Sequence, residues 1–186
     1  MKVASFYRFL DLGDVQAFRD ELQALCDGNE LLGTILVADE GFNGTVAGTE
    51  VGIQAVFHWI EGRLDLDRPI DARWTDASDA PFRRMRVRVK KEIVTLGRPD
   101  IRPHEGTGEY VPPEEWNALI EDPDVAVVDT RNHYEVEVGT FPGAVDPKTD
   151  NFRQFNQFAE QLAETDRDRP LAMFCTGGIR CEKATA

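Results

Sequence analysis

Cys175, Arg180 and Cys181 fall within one short run, CTGGIRC, and are the residues best placed to do chemistry together. A cysteine that opens a glycine-rich turn closing on an arginine has the pattern of an anion-holding loop at the start of a helix. Gly177 and Gly178 permit positive φ and close approach, so successive backbone N–H groups can point inward at the sulfur. A free thiol is only about 3 % thiolate at neutral pH. Lowering its pKa by about two units, worth roughly 2.7 kcal/mol, makes thiolate the main form. Loop amides, the helix dipole and Arg180 are a sufficient source of that stabilisation. Thr176 and Ile179 complete the loop. Arg180 stands five residues after Cys175, a smaller ring than a phosphate group requires. It suits a single sulfur, and a persulfide on Cys175 is the natural cargo. Cys181 either resolves an oxidised or persulfidated Cys175 or packs at the helix start.

The second chemical feature is RRMRVRVKK, the one basic island of an acidic chain. As a strand it places Arg84, Arg86, Arg88 and Lys90 on one face and Met85, Val87 and Val89 on the other. That face is either a stripe for RNA phosphates, sensitive to salt, or a solvated surface balanced by nearby carboxylates. The 34 acidic and 21 basic residues give a net charge of -13, which excludes nonspecific nucleic-acid binding by the whole surface but leaves room for a local basic site. No metal site is predicted: His58, His104 and His133 are scattered without ligand spacing, and two nearby cysteines alone are a poor set. No dinucleotide glycine fingerprint occurs, and GFNGTVAG lacks the Gly-Lys-Ser/Thr ending of a phosphate-binding loop. No cofactor is identifiable. Three cysteines make no disulfide framework, and Cys26 reads as buried packing. With neither a secretion signal nor a membrane span, a cytoplasmic location is expected.

The elements that must position these residues divide into two sets. Strand Val3 to Phe9, a helix from the Asp14 cap to Cys26, strands Thr34 to Ala38 and Thr45 to Ala47 joined through Gly41 to Gly44, a helix from Val51 to Glu61, and strands near Ala72 to Thr75 and Met85 to Val94 follow in turn. The order β-α-β-β-α-β predicts a ferredoxin-like α+β sandwich over residues 1–95, two helices on an antiparallel sheet. Residues 96–110, rich in proline and glycine, read as a linker. Residues 111–186 read as an α/β domain: a short helix in PPEEWNALIEDP, a buried parallel strand in VAVVDT, a helix from Asn151 to Glu164, and the strand PLAMF running into Cys175. Its active end lies at the carboxyl ends of the strands.

VVDTRNHYEVEVGTFPGAVDP, with Asp129, Arg131, Glu135, Gly139 and the Pro142-Gly143-Ala144 turn, resembles the first motif of rhodanese domains, and the terminal loop resembles the second. Thr140 stands where rhodaneses often carry histidine, and Cys181 where a small residue is common. With ADEGFNGTVAGT, YVPPEEWNALIEDPDVAVVDTRNHYE and the paired cysteines, nearly the whole chain is similar to the rhodanese-domain tRNA uridine 5-hydroxylases. The resemblance implies hydroxylation of carbon 5 of the anticodon wobble uridine, with molecular oxygen as co-substrate, Cys175 as the catalytic residue, tRNA as partner and a sulfur or electron donor protein as a further one. Asp129 and Arg131 then brace the loop and Glu135 pairs with a basic residue. The alternatives are a sulfurtransferase carrying a persulfide on Cys175 and a noncatalytic RNA-binding module. Because EKATA supplies little more than the first turn of the helix that should polarise the loop, the rhodanese-like domain reads as truncated at its C-terminus, a piece neither stable nor active alone.

Overall fold

In strand β1 (Lys2–Phe9), Ala4 and Phe6 are buried while Ser5 between them is exposed, the period of two that lays one sheet face on a core. The computed structural model, which describes residues 1–165 and 169–186, places β1 in the first of two units, Met1–Ile93 and Val94–Ala186. β2 (Leu32–Ala38), β3 (Gly41–Gly48), β4 (Ala72–Asp76) and β5 (Met85–Val89) complete its sheet in the order β4-β1-β3-β2-β5. β5 runs parallel to β2, so the sheet is mixed where a wholly antiparallel one was expected.

Helices α1 (Val15–Gly28) and α2 (Glu50–Arg63) begin at side-chain caps. Asp14 Oδ1 accepts from Ala17 N at 3.0 Å and Thr49 Oγ1 from Gly52 N at 3.1 Å, satisfying donors that have no partner within the helix. Phe18, Leu22 and Cys26 of α1 and Ile53, Val56, Phe57 and Ile60 of α2 bury their common faces against Phe6, Ile35, Phe42 and Val87 of the sheet. This is the ferredoxin-like sandwich. Cys26 is packing within it, and burial pushes its thiol up to about 12. The open edge of β5 is closed by α1: Gln23 Oε1 accepts from Val87 N at 2.7 Å and Arg19 Nε donates to Val87 O at 3.0 Å.

Gly41 to Gly44 are not the hairpin turn but lie inside β3, and the turn is Asp39 and Glu40. The glycines mark close backbone approach instead. A Cβ on Gly41, whose φ is +131°, would fall on the Arg8 carbonyl oxygen, and one on Gly44 would lie 2.8 Å from Ile35 Cγ1.

In the second unit β6 (Ala126–Asp129) pairs in parallel with β7 (Leu171–Phe174), and all four residues of β6 are buried. Helices α3 (Pro113–Glu121), α4 (His133–Val138), α5 (Phe155–Thr165) and α6 (Ile179–Thr185) accompany them. The helix expected from Asn151 opens as a 3-10 turn, Phe152–Gln154, before α5 begins. The core gathers Leu96, Val128, Phe152 and Phe155, with Ile101 and Phe158 packed against it.

Leu96 and Ile101 belong to the stretch that reads as a linker, and Pro103 is buried in a 3-10 turn, Pro103–Glu105. Residues 96–105 are therefore held within the second unit. Proline and glycine removed the periodicity there without removing the burial. Backbone acceptors are satisfied by side chains instead, Asn156 Nδ2 donating to Leu96 O at 2.7 Å and Lys183 Nζ to Ile101 O at 3.3 Å.

Gly41→Ala combines backbone strain with a severe backbone clash, whereas Gly44→Ala, without a positive φ, presses on Ile35 Cγ1 at 2.8 Å and less closely on Thr34 O at 3.1 Å. Thermal unfolding should show both destabilised, by roughly 1–3 kcal/mol for Gly44→Ala and by more for Gly41→Ala. The reverse order would refute this reading of β3.

Candidate active site

Two parallel strand ends build the site. β6 ends at Asp129 and β7 at Phe174; Thr130 ties them together, its N and its Oγ1 both donating to Phe174 O at 3.0 Å. Cys175 therefore leaves the sheet from a fixed carbonyl. The chain turns through Thr176, Gly177 and Gly178, the last at φ +89°, and α6 begins at Ile179.

Gly178 N donates to Cys175 Sγ at 3.0 Å. The Cys181 thiol donates to the same sulfur, and the amides of Cys181 and Gly177 add to it. These donors, Cys181 foremost, outweigh the desolvation that opposes charge and bring the Cys175 thiol down to about 5. Cys181 is driven the opposite way, chiefly by its hydrogen bond to Cys175 and then by burial, and stays protonated. One thiolate and one thiol thus share a proton. Thr130 Oγ1 lies 3.5 Å from Cys181 Sγ and anchors the second sulfur to the end of β6.

Arg180 is not a free cation waiting for an anion. Its Nη1 donates to Glu135 Oε2 at 2.7 Å and its Nη2 to Glu135 Oε1 at 2.9 Å, a bidentate pair with side chains only 16% and 19% exposed. Thr176 Oγ1 donates to Glu135 Oε1 at 3.1 Å and Asn132 N to Oε2 at 3.1 Å. The Glu135 carboxyl is held down to about 2, first by Arg180 and then, against the cost of burial, by these donors. The same guanidinium interacts more weakly with Cys175. Glu135 thus clamps both Thr176 and Arg180 of the loop.

Asp129 and Arg131 stand one layer back. Arg131 Nε donates to Asp129 Oδ1 at 2.9 Å and Nη2 to Oδ2 at 2.6 Å; Nη2 also reaches Gly139 O at 2.6 Å. Thr140 Oγ1 donates to Asp129 Oδ2 at 2.8 Å. The guanidinium lies over the Phe174 ring, 5.6 Å from its centroid, so the pair touches the residue before Cys175 rather than the sulfur.

Sequence reading missed three contributors. α4 escaped because HYEVEV alternates like a strand; only its position after Asn132, with Glu135 three residues on, signals a capped helix. Thr130 and Thr140 lie within the first rhodanese-like motif, but their residue type alone does not mark them as contacts of the site. The place of Thr130, just past a buried parallel strand, is the one signal that could have found it.

The basic stripe lies in the other unit. Arg84, Arg88 and Lys90 are exposed and Arg86 is half-buried, and among the described residues none of the four has an ion-pair partner. Arg8, Arg19, Arg63, Arg98, Arg131 and Arg180 each do. No group of histidine, cysteine, aspartate or glutamate able to hold a metal occurs among the described residues, and no helix there is long and apolar enough to cross a membrane.

A sandwich of this topology joined to a thiol loop of this kind defines a class. The model of the UPF0176 acylphosphatase-like domain matches residues 1–93 and that of the rhodanese-like domain residues 112–186. The chain is 50% identical over 186 residues to a tRNA uridine(34) hydroxylase of Mesorhizobium japonicum, covering 100% of this chain and 60% of that protein. It is 49% identical to one from Gluconobacter oxydans, again covering 60% of that protein, and 48% identical to one from Nitrobacter hamburgensis, covering 74%. The chain belongs to the tRNA uridine(34) hydroxylase family, and spans about 60% of the length of the first two relatives.

Two predictions follow from the loop. Cys181→Ala removes the leading donor to Cys175, so the midpoint of its alkylation by iodoacetamide against pH should rise from about 5 towards the ordinary thiol range; an unmoved midpoint would show that the amides suffice. Glu135 has a depressed pKa, so its stabilisation is full above its ordinary 4.5 and is lost as pH falls through about 2. Urea unfolding should show a wild-type loss of about 2 kcal/mol between pH 6 and pH 3 from this group, missing in Glu135→Gln. Equal slopes in the two proteins would contradict the clamp.

Proposed function

We propose that the protein is a tRNA-modifying oxidoreductase of the cytoplasm that hydroxylates carbon 5 of the anticodon wobble uridine. The observation that carries this reading is the Cys175 loop, whose Gly178 amide donates to the sulfur and whose donors bring the thiol down to about 5, in a chain about half identical to named tRNA uridine(34) hydroxylases. Such a sulfur is a nucleophile at neutral pH. Cys175 is the catalytic residue, Cys181 sets its protonation, and Arg180 with Glu135 fixes the loop. Thr176, Gly177, Gly178 and Ile179 shape it, while Asp129 and Arg131 brace the strand end beneath.

Molecular oxygen is the co-substrate. Replacing the C5–H bond by C5–OH takes one oxygen atom; the other leaves as water with two protons and two electrons, which a reductant must supply. A dithiol going to a disulfide provides that number, so a thiol-bearing or other redox donor protein is the partner this stoichiometry calls for. Arg86 and Arg88 of β5, without ion-pair partners among the described residues, favour RNA contact over a balanced solvated face.

The test is mass analysis of anticodon nucleosides from cells lacking the protein. 5-Hydroxyuridine should disappear, return with the wild-type gene, and stay absent with Cys175→Ala. Unchanged 5-hydroxyuridine in the deletion strain would sink the proposal. Cyanide-dependent release of thiocyanate, abolished by the same substitution, would in that case point to sulfur transfer.

A further inference from the structure

The sheet of the first unit buries one face under α1 and α2; on the other, Ser5 and Thr34 are exposed in mid-sheet, while Phe9 and Ala47 are buried and Asn43 Nδ2 donates to Ile93 O at 3.0 Å. Strand registers align a single row across all five strands of that outward face. Arg73 lies opposite Ser5, Ser5 opposite Thr45, Thr45 opposite Thr34, and Thr34 opposite Arg86. Adjacent strands are about 4.8 Å apart, so the row is about 19 Å long. Arginines stand at both ends. Three hydroxyls lie between them, Ser5 Oγ and Thr45 Oγ1 within 2.9 Å of each other. Two residues along, Arg88 ends a second row that crosses to Tyr7.

The charge of this face runs against the composition of the chain. No aspartate or glutamate projects from it on any of the five strands, although the chain carries 34 of them. A face that merely needed solvation could carry either sign; this one is cationic in a chain of net charge -13. The ligand it complements is a polyanion.

We propose that the outward sheet face is a platform for a short single-stranded stretch of RNA, laid across the strands from Arg73 to Arg86. Phosphates sit at the arginine ends. Ribose 2′-hydroxyls and base edges meet Ser5, Thr45 and Thr34, whose hydroxyls both donate and accept. Duplex RNA presents a deep narrow major groove that such a flat face cannot enter, whereas an unstacked loop can lie along it. An anionic lipid surface would need apolar side chains to insert, and the row between the arginines has none. The inference rests on the tRNA reading above and assigns where the loop is held.

Full-length protein and a labelled anticodon stem-loop, followed by fluorescence anisotropy over a series of KCl concentrations, test it. Arg73→Ala and Arg86→Ala should each weaken binding at least threefold and lower the salt slope by about 0.7. Thr34→Glu, in the middle of the row, should weaken it about tenfold or more, and Thr34→Lys should strengthen it, so a misfolded Glu variant does not decide the matter. Arg63→Ala on the helical side should bind as wild type, and the all-deoxy stem-loop should bind more weakly. Weakening by Arg86→Ala alone would mean that RNA follows the β5 edge and would overturn the cross-strand row, as would unaltered binding in every variant. Nucleosides measured in parallel separate the two ideas: intact binding by the row variants in an active enzyme defeats the platform only, while unchanged 5-hydroxyuridine in the deletion strain defeats the hydroxylase reading only.

Discussion

A negative sulfur taken out of water has to be matched by donors fixed around it, because desolvation alone raises the pKa of a thiol. At Cys175 the match is made by a second thiol, Cys181, and by backbone amides of one tight turn. That requirement explains why the loop is clamped from outside. A donor that drifted by an ångström would give up much of its contribution, and the glycines that permit the turn supply no side chains to hold it. The holding is done by Glu135, which grips the loop at Thr176 and at Arg180 together.

Behind the clamp the dependence runs down into the sheet. Glu135 sits in the first turn of α4, set by the Asn132 cap, and the turn after α4 is closed on Asp129 through Thr140 and Arg131. Asp129 is at the end of β6, whose parallel neighbour β7 delivers Cys175. Every group that controls the sulfur is thus referred to one pair of strand ends. Asp129 is 0% exposed, and the buried carboxylate is tolerable because the Arg131 guanidinium and backbone N–H and the Thr140 hydroxyl all donate to it.

What the sequence disclosed and what it hid separate along a physical line. Cys175, Arg180 and the α1 cap at Asp14 were legible because each rests on neighbours in the chain. The ferredoxin-like order was legible because amphipathic period survives in a one-dimensional string. The basic partner that the resemblance implies for Glu135 is Arg180, 45 residues away; no local pattern names which basic residue it is. Gly41 and Gly44 misled for a related reason. Glycine serves equally in a turn and where another backbone comes close, and only the partner strand tells which. Leu96 and Ile101 were hidden by the prolines and glycines around them, although their burial depends on apolar side chains that those residues do not remove.

The distribution of charge has its own logic. A chain of net charge -13 repels a polyanion at long range, and the repulsion is screened within a Debye length of about 8 Å at physiological salt. An approaching RNA is therefore discouraged from every surface except one where several cations stand together without carboxylates. Arg84, Arg86, Arg88 and Lys90, without ion-pair partners among the described residues, form such a place. Neutralising them with nearby aspartates would be cheap in stability, since exposed ion pairs contribute little either way, so their isolation costs the fold almost nothing. An acidic surface with a cationic face yields weaker but better oriented encounters with a polyanion than a uniformly basic one.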